Sequence, residues 1–202
     1  MNTPPVPAAH VAQAPSDWVR RWAHLVPAGG RVLDVACGTG RHAHFLASRA
    51  MVVTAVDRDP AALVQVRAQW PTNASPPAHI LQADLESEPW PLPGSQFEAV
   101  VVTHYLWRPL WPSLLGALAP GGMYIHETFA HGNATVGKPS RPDFLLQPGE
   151  LLTACQGLRV VAFEDGFCEK PDRYLQRIVA VKEQTGGNTA TPPRYPLRAL
   201  GG

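Results

Sequence analysis

The residues in this chain whose types and spacing could do chemistry are three aspartates arranged around a glycine bend. The run Val32-Leu-Asp-Val-Ala-Cys-Gly-Thr-Gly-Arg-His-Ala43 passes from an apolar strand pattern through Gly38-Thr-Gly40 straight into a helical pattern. Glycines at such a bend let the backbone turn sharply and approach a ligand, and the helix N-terminus offers free N–H groups to its polar portion. Gly38-x-Gly40-x-x-Ala43 also satisfies a loose dinucleotide pattern, which by itself equally suits a turn with no ligand. Asp34 lies inside the strand, where a carboxylate is costly without partners. It suits the ammonium group of an α-amino acid moiety, or it ties down loop N–H groups. Asp57, followed by Arg58, ends the second strand pattern and can accept from both hydroxyls of a ribose. Asp84 ends the third, placed to accept from the exocyclic amine of an adenine while Leu85 packs nearby. Either acid taken alone could be a cap. Three at successive strand ends argue for nucleoside binding.

These residues need a scaffold, and the chain alternates strand-like and helix-like segments. A first helix starts near Ser16-Asp17, with Trp18, Trp22 and Leu25 forming one apolar stripe that faces the core or lids a ligand. Strands are expected at 32–35, 51–56, 79–84, 97–103 and 123–127, with helices at 41–49, 60–69 and 111–118 between some of them. This order argues for a parallel sheet with crossover helices. Beyond it, 148–155 reads as a helix, and 158–163 and 176–180 as two strands pairing antiparallel at the sheet edge through the polar stretch 164–173.

The chain has 202 residues, 45% apolar and 16% charged, which suits one globular domain and excludes a disordered class. A net charge of +1 gives no electrostatic argument for nucleic acid or an anionic membrane. Cys37, Cys155 and Cys168 are far apart and show no zinc spacing, and His42 and His44 face different ways on a helix, so no metal site is expected. Reduced thiols, no apolar run of membrane length and no basic-then-apolar leader make the cytoplasm the expected location. Proline-rich composition marks residues 1–15 and 185–202 as flexible arms around a folded core, 16–184.

Asp34-Val-Ala-Cys-Gly-Thr-Gly40, then Asp57, then Ala83-Asp84, then Pro120-Gly-Gly122 before a strand resembles the class I S-adenosylmethionine-dependent methyltransferases. The nearest subgroup is the bacterial small-molecule, tellurite-resistance-like type. The resemblance implies a Rossmann-like α/β three-layer sandwich with a seven-stranded sheet, parallel except for one strand near the edge. It places S-adenosylmethionine on Asp34, Ala36, Cys37, Gly38, Gly40, Asp57, Arg58, Asp84, Leu85 and His104. Ala36 stands where the family's first motif glycine is usual, and a slightly tighter approach is expected there.

Methyl transfer is an in-line displacement, so the protein mainly aligns the nucleophile, and a base is needed only if the acceptor must lose a proton. After the fourth strand, Thr103-His104-Tyr105-Leu106-Trp107-Arg108 differs from the Asn/Asp-Pro-Pro-Tyr/Phe tetrad of amino-directed nucleic-acid and protein-glutamine methylases. His104 is a candidate base, or packs against cofactor through its backbone; Tyr105 and Trp107 are candidates for an aromatic wall. Glu127 could bind a cationic acceptor or orient a helper, with His126 facing the other way. The expected activity is methyl transfer to a small molecule. The alternatives are an NAD-binding oxidoreductase, an RNA or protein methyltransferase on the same fold, and a cofactor-binding protein without turnover. Neither the acceptor nor the oligomeric state is legible.

Overall fold

The computed structural model describes residues 14–72, 74, 79–184 and 192–197. Seven strands form one sheet: β1 (Arg31–Val35), β2 (Val52–Asp57), β3 (His79–Gln82), β4 (Phe97–Thr103), β5 (Leu118–Phe129), β6 (Arg159–Cys168) and β7 (Arg173–Val181). Their order across the sheet is β3-β2-β1-β4-β5-β7-β6, with β7 antiparallel to both its neighbours and the other pairs parallel. The sheet order reverses between β1 and β4, the place where open α/β sheets bind ligands. β1 and β4 are almost wholly buried and rich in Val and Leu, as strands covered on both faces must be.

The helices are α1 (Asp17–Trp22), α2 (Arg41–Ala47), α3 (Pro60–Ala68), α4 (Trp111–Gly116) and α5 (Glu150–Ala154). Trp18, Trp22, Ala43, Leu46, Leu63 and Val66 carry α1 to α3 onto one face, against Val32, Val101 and Ile125. Leu114 and Leu151 carry α4 and α5 onto the other, against Leu33, Val100 and Tyr124. Local chemistry sets the helix starts. Ser16 caps α1 by accepting from the Trp18 N–H at 3.1 Å, and Asp59 caps α3 by accepting from Ala61 at 2.9 Å, with Pro60 at the first turn.

Two expectations shift. The polar stretch 164–173 is mostly strand, because β6 is an edge strand with much of its surface in solvent and only Glu169–Asp172 turn. Of the two arms, residues 1–13, 185–191 and 198–202 lie outside the described residues. Within the second, residues 192–197 pack on the domain: Tyr195 lies against the α1 side of the core and the Pro196 carbonyl sits 3.0 Å from His24 Nε2. No helix among the described residues is long and apolar enough to cross a membrane.

His42 of α2 ties the first helix to the tip of β4. The Ser16 N–H donates to its Nε2 at 3.1 Å, so the proton sits on Nδ1 and donates to Thr103 Oγ1, also at 3.1 Å. Burial pushes this imidazole down to about 3, so it is neutral. Its neutral state stabilises the fold fully above the unfolded value near 6.5, and that contribution is lost as pH falls from there toward about 3. His42→Ala is therefore expected to cost about 2–3 kcal/mol in urea unfolding at pH 7.5, and about 2 kcal/mol less at pH 5.

Candidate functional site

The C-terminal tips of β1 to β5 converge on the loop Ala36–Gly40. Cys37 N–H donates to the Val56 carbonyl and Gly40 N–H to the Cys37 carbonyl, each at 3.0 Å, closing a tight turn. Gly40 is required on two counts: its φ is +86°, and a Cβ there would stand 2.9 Å from Val66 of α3. Cys37 points its sulfur into the core, where burial and the nearby Asp34 and Asp57 carboxylates push the thiol up and out of nucleophilic range. Ala36 adopts φ +51°, the left-handed region, so the missing glycine shows as backbone strain. Ala36→Gly is expected to raise stability by about 0.5–1 kcal/mol, strain relief exceeding glycine's entropy cost, read as a higher thermal midpoint.

A cleft beside this loop is lined by Ala36, Asp57, Arg58, Ala83, Asp84, Leu85, Glu86 and Tyr105. Asp57 does two jobs: Oδ2 accepts from the Gly38 N–H at 2.7 Å and Oδ1 from the Asp59 N–H at 2.9 Å. Asp57, and not Asp34, fastens the glycine loop. Asp84 Oδ1 accepts from the Glu86 N–H at 3.0 Å, which holds its carboxyl below the usual range. Each of these oxygens keeps a further lone pair for a ligand hydroxyl or amine. The Tyr105 hydroxyl is buried beside them with no hydrogen-bond partner, and burial raises it well above the ordinary phenol. The sequence offers Tyr105 only as an aromatic wall, names Ala83 only as part of the motif, and gives no signal for Glu86.

Asp34 lies on the α2 side of the sheet, in register with Ala55 and Val101, fully buried, with neither oxygen hydrogen-bonded. Burial pushes it up to about 7, opposed by the Ala43 backbone N–H and the Arg41 guanidinium. The expected three-acid ring is thus two acids in the cleft and one beneath the loop. An orphaned buried carboxylate is the pattern expected of a site built for a cationic or donor-rich ligand. The donor set fits an adenosine joined to an α-amino acid: carboxylates for hydroxyls and amines, and a buried acid toward an ammonium.

His104 and Glu127 lie on the Asp34 face, away from the cleft lining. His104 has φ +53°, donates its N–H to the Glu127 carbonyl at 2.8 Å and rests its ring on Phe129 with centroids 4.8 Å apart. Arg41 Nη2 approaches His104 Nδ1 at 3.4 Å, and since a guanidinium only donates, the proton of the neutral ring is on Nε2, 3.7 Å from Glu127 Oε1. Burial lowers the His104 imidazole despite that carboxylate. Glu127 is 2% exposed and pairs with Arg177 at 2.6 Å, so it presents no free carboxylate to an amine acceptor. His126 faces the other way, between the Tyr124 hydroxyl at 2.8 Å and the Tyr105 carbonyl at 3.1 Å. Trp107 packs into the core layer under α4. Among the described residues no group of His, Cys, Asp and Glu could hold a metal ion.

Residues 32–122 match a family described as a methyltransferase domain. The chain is 37% identical over 111 residues to an uncharacterised methyltransferase of Mycobacterium tuberculosis, covering 52% of this chain and 54% of that one. It is 32% identical over 123 residues to a tRNA U34 carboxymethyltransferase of Alcanivorax borkumensis, covering 56% and 37% respectively. The chain thus spans about half or less of the length of these curated relatives. Its fold superposes on TehB from Haemophilus influenzae with a TM-score of 0.67 at 16% identity, over 83% of this chain and 62% of that one. Residues 32–122 are thus similar to a methyltransferase domain, on a fold shared with S-adenosylmethionine-dependent methyltransferases. The fold is shared with TehB. The oxidoreductase alternative is not favoured.

Proposed function

We propose that this protein transfers a methyl group from S-adenosylmethionine to a small-molecule acceptor. The observation that carries the reading is the acid-lined cleft at the strand tips, with Asp57 fastened to the glycine loop and the Tyr105 hydroxyl buried and unpartnered beside it. In this reading Asp57 accepts from the ribose hydroxyls, Asp84 and Leu85 hold the adenine, and Ala36, Gly38 and Gly40 allow close backbone approach. Asp34 faces the amino-acid end from below the loop, and Cys37 contributes backbone only. The bound cofactor supplies an electrophilic methyl carbon on a sulfonium sulfur. The chain's own residues orient the two reactants and exclude water. His104 is positioned by Arg41 and Glu127; to take a proton from an acceptor it must release the Arg41 contact at Nδ1. A near-neutral chain supports a small acceptor over a polyanion.

The test is label transfer. Methyl-tritiated S-adenosylmethionine is incubated with the protein and a host-cell extract, which is then split into RNA, protein and small-molecule fractions. Enzyme-dependent label in the small-molecule fraction is expected; label confined to RNA or protein overturns the acceptor class.

A further inference from the structure

The mouth beside His104 gathers three guanidinium groups, one of which has no partner among the described residues. Arg41, Arg173 and Arg177 converge there, each partly buried. On β7, Arg177 is in register with Glu127, and Arg173 lies on the same face four residues nearer the mouth. The buried acid beside Arg173 and Arg177 is already taken: Glu127 pairs with Arg177 at 2.6 Å and faces His104 at 3.7 Å, while buried Asp34 lies toward Arg41. Arg177 draws a second acid, Glu164, at 3.1 Å. Arg41 hydrogen-bonds only neutral partners, the Ala14 carbonyl at 3.4 Å and His104 Nδ1 at 3.4 Å, and its charge faces Glu127 and the buried Asp34.

Arg173 is the anomaly. Its Nε is buried with no hydrogen-bond partner, and its guanidinium makes no ion pair among the described residues, Asp172 and Glu169 in the adjoining turn included. Burial is the main cause that lowers both Arg41 and His104; Arg173 adds to it in each case, against the opposing charge of Glu127. A half-buried guanidinium pressed toward other cations costs stability unless an anion completes it, and a planar fork of donors is suited to an oxyanion. Arg41, next to Gly40, borders the glycine loop and Asp34. Arg173 comes in from β7, on the far side of β5 from the glycine loop.

We propose that the acceptor carries an oxyanion, a carboxylate or a phosphate, and that Arg173 holds it in this mouth. The inference rests on the methyltransferase reading above and narrows its acceptor class. Glu127 and Arg177 then serve as the fixed base of the site, and His104 and Phe129 as its wall.

The test uses the full chain saturated with S-adenosylhomocysteine, whose binding is measured first, so that failure there counts against the methyltransferase reading itself. Sodium benzoate, inorganic phosphate and neutral benzamide are then titrated while the nitrogen-15 signal of the Arg173 Nε–H is followed. Benzoate or phosphate is expected to shift that signal and saturate, benzamide to leave it unmoved; which anion binds distinguishes a carboxylate acceptor from a phosphate one. Arg173→Gln should weaken anion binding at least tenfold and Arg173→Lys less, with S-adenosylhomocysteine affinity unchanged in both. Equal binding of benzamide, no saturable shift with either anion, or undiminished anion binding in Arg173→Gln overturns the proposal. So does a tenfold loss of S-adenosylhomocysteine affinity in Arg173→Gln, which would assign the guanidinium to the cofactor.

Discussion

Asp57→Ala is expected to weaken S-adenosylhomocysteine binding by about 2–4 kcal/mol, a thirtyfold to thousandfold rise in Kd by calorimetry. Two losses combine in that figure. The ribose hydroxyls of the ligand lose their acceptor, and the Gly38 N–H loses the carboxylate that holds it at 2.7 Å. The second loss also loosens the tight turn between Cys37 and Gly40, on which close approach of the cofactor depends. Asp57→Asn separates the two, because its side-chain oxygen can still accept from Gly38; it should recover part of the affinity. Affinity unchanged in Asp57→Ala would remove this residue from the ribose and place the ligand elsewhere.

Asp34→Asn is expected to do opposite things to stability and to binding. Burial raises the carboxyl from 3.8 to about 7. A raised acid stabilises the fold fully only below its unfolded value, and that contribution is lost as pH rises through its folded one. Above neutrality the ligand-free protein therefore holds an ionised carboxylate with no hydrogen-bond partner, a cost of about 4 kcal/mol at most from the difference between the two values. The neutral amide of the same shape removes that cost. Asp34→Asn should be more stable than the parent chain at pH 8, with the advantage shrinking toward pH 5, in urea unfolding followed at both. Comparing the two proteins at the same pH cancels the opposing contribution of the buried histidines, His42 and His126, which burial holds at about 3 and about 4. In the same variant, affinity for S-adenosylhomocysteine should fall at least tenfold, and the parent's rise in affinity between pH 6 and pH 8 should disappear. A variant that is both more stable and equally tight would show that Asp34 does not face the ammonium.

The sequence patterns located these acids because strand ends and a glycine bend are local signals. The apolar runs of β1 and β4 and the Pro60 and Ser16 helix starts were legible for the same reason. What they could not show was pairing at a distance. Asp34 and Asp57 read as two ligand-facing carboxylates, yet Asp34, inside β1, is orphaned beneath the loop, while Asp57, at the end of β2, reaches the Gly38 N–H and anchors it. Glu127 read as a free acid because its partner, Arg177, lies on β7 in a register that only the folded sheet fixes. The extent of β6 was hidden by its polarity, since an edge strand in solvent needs no apolar alternation. Ala36 signalled its strain only as a departure from a family pattern, and its φ of +51° shows the cost of that departure.

The most direct test of the account is a calorimetric titration of the wild-type protein with S-adenosylhomocysteine and, separately, with NADH. One saturable site for S-adenosylhomocysteine and no binding of NADH is the predicted result. Saturable binding of NADH with none of S-adenosylhomocysteine would contradict it.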